Sequence, residues 1–202
     1  MTRIRARLRE AQRDQIIVRV QRASDRQTYD GFVVGVGKTW MLLTRTMEGG
    51  YFDGHAAIRI DDIRRLRIDT SFESRFSRTR PEWPPSRPEG AAEIDLDSTL
   101  GVLRTFPQPG RLVGIESAKR PSCTWIGVPD EILGRWFYLW EVRPDATWHE
   151  SPRGYRRRDI AMVYSGSHYL TGLTSIAGPP PARVGENWST PASTPTATAT
   201  GS

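Results

Sequence analysis

The sequence predicts an all-β protein: two small five-stranded antiparallel barrels, a short N-terminal helix and a disordered C-terminal tail. Three observations carry this. Five short strand-like runs crowd into residues 16–68 with no helical period between them, which is the pattern of a small barrel. A Trp followed by Asp-Ile after 22 residues (Trp40, Asp62) returns after 23 residues at Trp136 and Asp159. A proline-rich stretch separates the two regions, so the expected units are 1–76, a linker over 77–98, a second and more divergent barrel over 99–177, and a tail over 178–202.

In chain order, Ile4, Leu8 and Ala11 at i, i+4 and i+7 give one amphipathic helix with arginines around its outer face. Ile16–Val20 is β-branched and nearly alternating, a strand. A second strand, Gly31–Val36, holds two glycines and so calls for a bulge or bend. Gly37-Lys38-Thr39 turns into Trp40–Thr44, a strand apolar on both faces and therefore central. Glu48–Gly54 is a glycine-punctuated loop, His55–Ile60 a fourth strand, Asp61-Asp62 a turn, and Ile63–Ile68 a fifth strand.

Phe72–Phe76 reads as a capping turn, and the proline-rich linker as extended and poorly ordered. Residues 91–106 are expected to hold a short helix capped by Asp97 or Ser98. Beyond it, Gly110–Ile115, Thr124–Val128, Trp136–Val142, Tyr155–Ile160 and Ala161–Tyr164 have strand character, and Trp148–Ser151 suggests brief pairing. From Gly178 the composition is too polar and repetitive to bury a core.

Composition narrows function by exclusion. Cys123 is the one cysteine and there are three histidines, so neither a disulfide nor a structural zinc is expected, and Cys123 is read as a buried thiol. No run reaches the ~18 apolar residues of a membrane helix, and the Arg-rich start lacks a signal peptide's apolar block, so a cytoplasmic protein without membrane contact is expected. The net charge of +6 is spread thinly along the chain, and all but two of its 29 basic residues are arginine. Gly35 and Gly37 lie between two strands, not between a strand and a helix, so they make no phosphate loop. Asp53, Asp61 and Asp62 are better read as turn chemistry than as a cation site, and no nucleophile–base pair is visible. The chain is therefore expected to be neither an enzyme nor a cofactor binder.

The order of strand, glycine-bent strand, apolar strand, glycine loop and Ile-Arg strand, followed by a short turn and an Ile-x-x-Leu strand, resembles the Sm-like family of small barrels; related SH3-like barrels fit nearly as well. Ile58-Arg-Ile-Asp-Asp-Ile63 is similar to that family's second motif, whose arginine helps hold RNA bases, and the resemblance implies that role for Arg59. The pattern departs from the family at Ile60, where the family has Gly, and at Gly37-Lys38-Thr39, which lacks the first motif's Asp and Asn.

Two further clusters are candidates. Arg153–Arg158 is the densest basic run, with Tyr155 interleaved, and a strand there would put Arg156 and Arg158 on one face and Arg157 on the other. Trp125, Trp140 and Trp148 exceed what one small core should hold and suggest an exposed stacking or docking surface. The expected function is a binding module for RNA or single-stranded nucleic acid through Arg59, Tyr155, Arg156, Arg157 and Arg158. The alternative is a protein-interaction or assembly adaptor that uses barrel edges and tryptophans to dock a partner or another copy of itself.

Overall fold

The computed structural model describes residues 2–85 and 87–181, and most of the expected tail lies outside them. Helix α1 (Thr2–Arg13) leads into β1 (Ile17–Arg22), β2 (Thr28–Val36), β3 (Trp40–Thr46), β4 (Phe52–Arg59) and β5 (Ile63–Ile68), followed by helix α2 (Phe72–Ser77). Helix α3 (Thr99–Thr105) then opens a second series: β6 (Val113–Ser117), β7 (Arg120–Leu133), β8 (Trp136–Glu141), β9 (Arg153–Arg156), β10 (Ile160–Ser165) and helix α4 (His168–Ala177). Each series runs helix, five strands, helix. No helix of the described residues is long and apolar enough to cross a membrane.

The fold is mostly β, as expected, but two separate barrels do not form. All ten strands join one antiparallel sheet in the order β5-β1-β2-β3-β4-β10-β6-β7-β8-β9, and this sheet does not close. Each half contributes its strands in the same order: fifth, first, second, third, fourth. The halves meet where β4 pairs with β10, with Ile58 opposite Met162, Ala57 opposite Val163, Ala56 opposite Tyr164 and His55 opposite Ser165. At the end of this joint Gly54 sits at φ +68° against the Ser165–Ser167 backbone, so the turn needs a residue that tolerates that conformation and brings no side chain.

Alternation along the two joining strands sends successive side chains to opposite faces, and each face feeds a different core. Ile58, Met162 and Tyr164 pack with Val18, Val20, Tyr29, Met41, Leu43 and Leu66, under Leu8 and Ala11 of α1. Ala57 and Val163 pack with Trp40, Leu42, Val113, Ile115, Phe137 and Leu139, under Val102 and Leu103 of α3 and Phe106 at its C-cap. Each half's apolar interior is thus completed by strands of the other.

The register makes the likeness of the halves residue-specific. Trp40 faces Arg59 across β3–β4, and Trp136 faces Arg156 across β8–β9. Gly31 and Gly127 occupy matching positions on β2 and β7, opposite Val18 and Val113. Asp62 and Asp159 each end a one-turn 3-10 helix, and their carbonyls accept from Ala23 and Ala118 just after the first strand of each half.

Several expectations change. The linker is built into the fold: the Leu96 carbonyl accepts from the Thr39 and Trp40 amides at 3.3 and 2.9 Å, and Leu96 itself is buried. A Cβ at Gly35 would lie 2.7 Å from the Leu96 side chain, and one at Gly37 would run into the Leu96 carbonyl. These glycines therefore admit the linker as well as the irregularity between Val33 and Gly35. Trp83 of the same linker packs edge-on against Phe32 at 4.4 Å. Cys123 is exposed, not buried, near the start of the long β7. The strand expected over 155–160 ends at Arg156, because residues 157–159 form the 3-10 turn.

Candidate functional site

A single buried arginine holds the seam between the halves. Arg22, at the end of β1, has no solvent exposure; its Nε donates to Asp62 at 2.8 Å, and Nη1 meets Asp25 at 3.0 Å and Glu116 of β6. Burial alone would lower the Arg22 pKa, but the Asp62 hydrogen bond and the charges of Glu116 and Asp25 outweigh it and raise it. The Tyr29 hydroxyl donates to Gln27 Oε1 at 2.9 Å with Glu116 also within reach at 3.2 Å, and burial followed by the Glu116 charge raises its pKa. Asp62 therefore does more than make a turn, although its Oδ1 also accepts from the Ser24 amide at 3.0 Å.

Arg59, the residue singled out by resemblance, works at the joint. Its guanidinium lies over the Trp40 ring at 5.4 Å and donates across to the carbonyls of Arg158 and Arg157 at 2.8 and 3.4 Å. Burial lowers its pKa. The equivalent pair in the second half is built alike, with Arg156 over Trp136 at 5.3 Å, but it stands at β9, a free end of the sheet. Arg156 and Arg158 are exposed, whereas Arg157 is half-buried. The joint thus uses the carbonyls of the arginine run as well as offering its side chains to solvent.

The tryptophans divide. Trp140 is buried and donates to the His149 carbonyl at 2.8 Å, while Trp148 packs on the first core and donates to the Ala177 carbonyl of α4 at 3.0 Å. Neither forms an open stacking surface. Trp125 does face outward in part: it packs on Tyr155 at 4.9 Å in an open cleft of about 400 Å³. Trp136, Arg156, Lys119 and Arg120 complete the rim, with Glu116 and Asp159 in its wall. Tyr155 donates to Glu141, and burial followed by that bond raises its pKa. The structure thus brings Trp125, Tyr155 and Arg156 together and adds Trp136 to them.

The cleft is open for a topological reason. Its matching region in the first half, around Tyr29 and Ile58, is covered by Met162 and Tyr164 of β10. In the second half the matching edge, β9, has no further strand beyond it among the described residues. At the opposite end of the sheet β5 is equally uncovered, and beside it Ile68 and Phe72 are 57% and 65% exposed. Arg64, Arg65 and Arg67 project from β5 into solvent. Compared with known protein families, curated proteins and solved structures, the chain shows no match.

Proposed function

We propose that this chain is a non-enzymatic interaction module that docks a partner strand at the free ends of its sheet. One observation carries the reading: the β4–β10 joint is a strand pairing between two like halves, and the same two kinds of edge, the outer sides of β5 and β9, carry no further strand among the described residues. An unpaired edge offers a row of backbone donors and acceptors to an incoming strand, the recognition mode known as strand addition. Exposed Ile68 and Phe72 add apolar area beside one edge, and the Trp125–Tyr155 cleft adds it beside the other.

Amide hydrogen exchange tests this reading. Residues 63–68 and 153–156 are expected to exchange slowly when the protein is isolated in its native complexes and fast when it is diluted to free chain. Equal rates in the two states overturn the proposal.

The composition of the cleft favours a second reading. Two indoles, a tyrosine and three basic side chains on one rim suit an unstacked base and its phosphate, so the cleft supports single-stranded nucleic acid as its occupant. On this reading, protein purified without nuclease carries RNA with a raised 260 to 280 nm ratio, and its affinity falls steeply with salt. Binding that does not change between low and high salt sinks it.

A further inference from the structure

We infer, resting on the edge-docking reading, that the partner is a second copy of this chain, joined head to tail so that β5 of one copy pairs with β9 of the next. Because the register of the β4–β10 joint is known and both halves share one strand order, the intermolecular register follows from it. Tyr155 would stand opposite Arg65, Gly154 opposite Leu66, Arg153 opposite Arg67 and Pro152 opposite Ile68.

Five basic residues on the two edges, Arg64, Arg65 and Arg67 with Arg153 and Arg156, would by themselves repel. The contacts of the joint, transposed residue by residue, show where these charges go. Inside the chain Arg59 reaches the carbonyl of Arg158; the same reach from Arg156 ends at the carbonyl of Asp61, whose side chain adds an exposed carboxylate on the turn before β5. Inside the chain the Arg45 guanidinium lies 5.7 Å from the Tyr164 ring centre; the matching pair between copies is Glu141 with Arg67, opposite in charge. Met162, which covers Tyr29 and Ile58 in the first core, corresponds to Arg65. In the next copy Arg65 therefore enters the cleft between Trp125 and Tyr155, an aromatic site with Asp159 in its wall, where a guanidinium stacks favourably.

The remaining positions agree. Ile68 and Phe72, the exposed apolar residues of the β5 end, come under the β8–β9 connection, as Ser165 and the start of α4 lie under Gly54 and Asp53 within the chain. Glu150 matches Asp53, whose Oδ1 accepts from the His168 amide at 2.8 Å at the start of α4; it would reach the start of α2. A head-to-tail interface leaves one complementary edge unsatisfied at each end of a pair, so association continues until the chain of copies closes.

Two tests together decide the proposal. In the C123S background, R67C and R153C are made as separate, differently tagged variants; both sites are exposed and lie outside the cleft lining. On mixing under mild oxidant, the expected product is the mixed R67C–R153C disulfide, because facing strand residues stand within disulfide reach, with little homotypic product. In parallel, D61R and I68D are each expected to raise the concentration needed for association about tenfold or more, the effect of losing one well-placed charge pair or apolar contact.

Purified chain that stays monomeric at high concentration and gives no mixed disulfide overturns self-pairing. Continued protection of the edges in native complexes would in that case keep the broader docking reading alive with a different protein as partner. Association that nuclease abolishes overturns self-pairing and gives the cleft to nucleic acid.

Discussion

Replacing Arg22 with Met tests the seam between the halves, because the side chain of similar length keeps the packing and removes the charge. Asp25, Asp62 and Glu116 then share a buried site with no cation among the contacts that Arg22 now provides. Breaking a buried ion pair by deleting one partner costs about 3–5 kcal/mol, since the surviving charge stays desolvated. That is a large part of the 5–15 kcal/mol typical of a whole domain. The assay is urea unfolding followed by tryptophan fluorescence and by far-UV circular dichroism. A further Glu116→Gln change should cost less in the Arg22→Met background than alone, giving a coupling energy of about 1–3 kcal/mol across the seam. The wild-type protein should also unfold in one transition by both probes, because Met162 and Tyr164 sit in the first half's core and Trp40, Leu42 and Ala57 in the second's. A loss under about 1 kcal/mol, as for a surface pair, or two separate transitions, would refute the reasoning.

Three other outcomes follow from the same structure. Leu96→Ala should cost about 2–4 kcal/mol by chemical denaturation, as for a core leucine, whereas an unanchored linker would lose almost nothing. Burial, then the charge of Glu116, pushes the Tyr164 pKa from 10 to about 12, and Tyr29 and Tyr155 are raised as well. A raised tyrosine pKa gives stability that is fully present below about pH 10, so the unfolding free energy should fall as pH climbs from 10 toward 12; a flat profile there contradicts the burial of these hydroxyls. Exposed Cys123 should react with a maleimide in the folded protein nearly as fast as in urea, and strong protection would put the thiol back in the core.

What could be read in the sequence was what is local. The Ile63–Ile68 strand, the short helix before residue 106 and the Trp–Asp-Ile spacing all rest on periods of a few residues, and each has its counterpart in β5, α3 and the matched 3-10 turns. Helix α4 escaped because Gly172 and its threonines weaken the helical signal; the Ser167 cap three residues before Leu170 was the available clue. The joint escaped because pairing of β4 with β10 brings together residues about a hundred positions apart, and alternation says which face a residue takes but not which strand lies beside it. For the same reason Arg59 read as a ligand-binding residue: nothing local shows that its guanidinium ends on the carbonyls of Arg157 and Arg158. Arg22 carries no local mark of its role, since its burial depends on Glu116 from the other half.

Light scattering over a concentration series tests the central claim most directly. The account predicts a mass that climbs from 22.8 kDa toward multiples of it as concentration rises, with the rise moved to about tenfold higher concentration or beyond in Ile68→Asp and retained after nuclease treatment. A mass that stays at 22.8 kDa across the series, or a rise that Ile68→Asp leaves untouched, would contradict it.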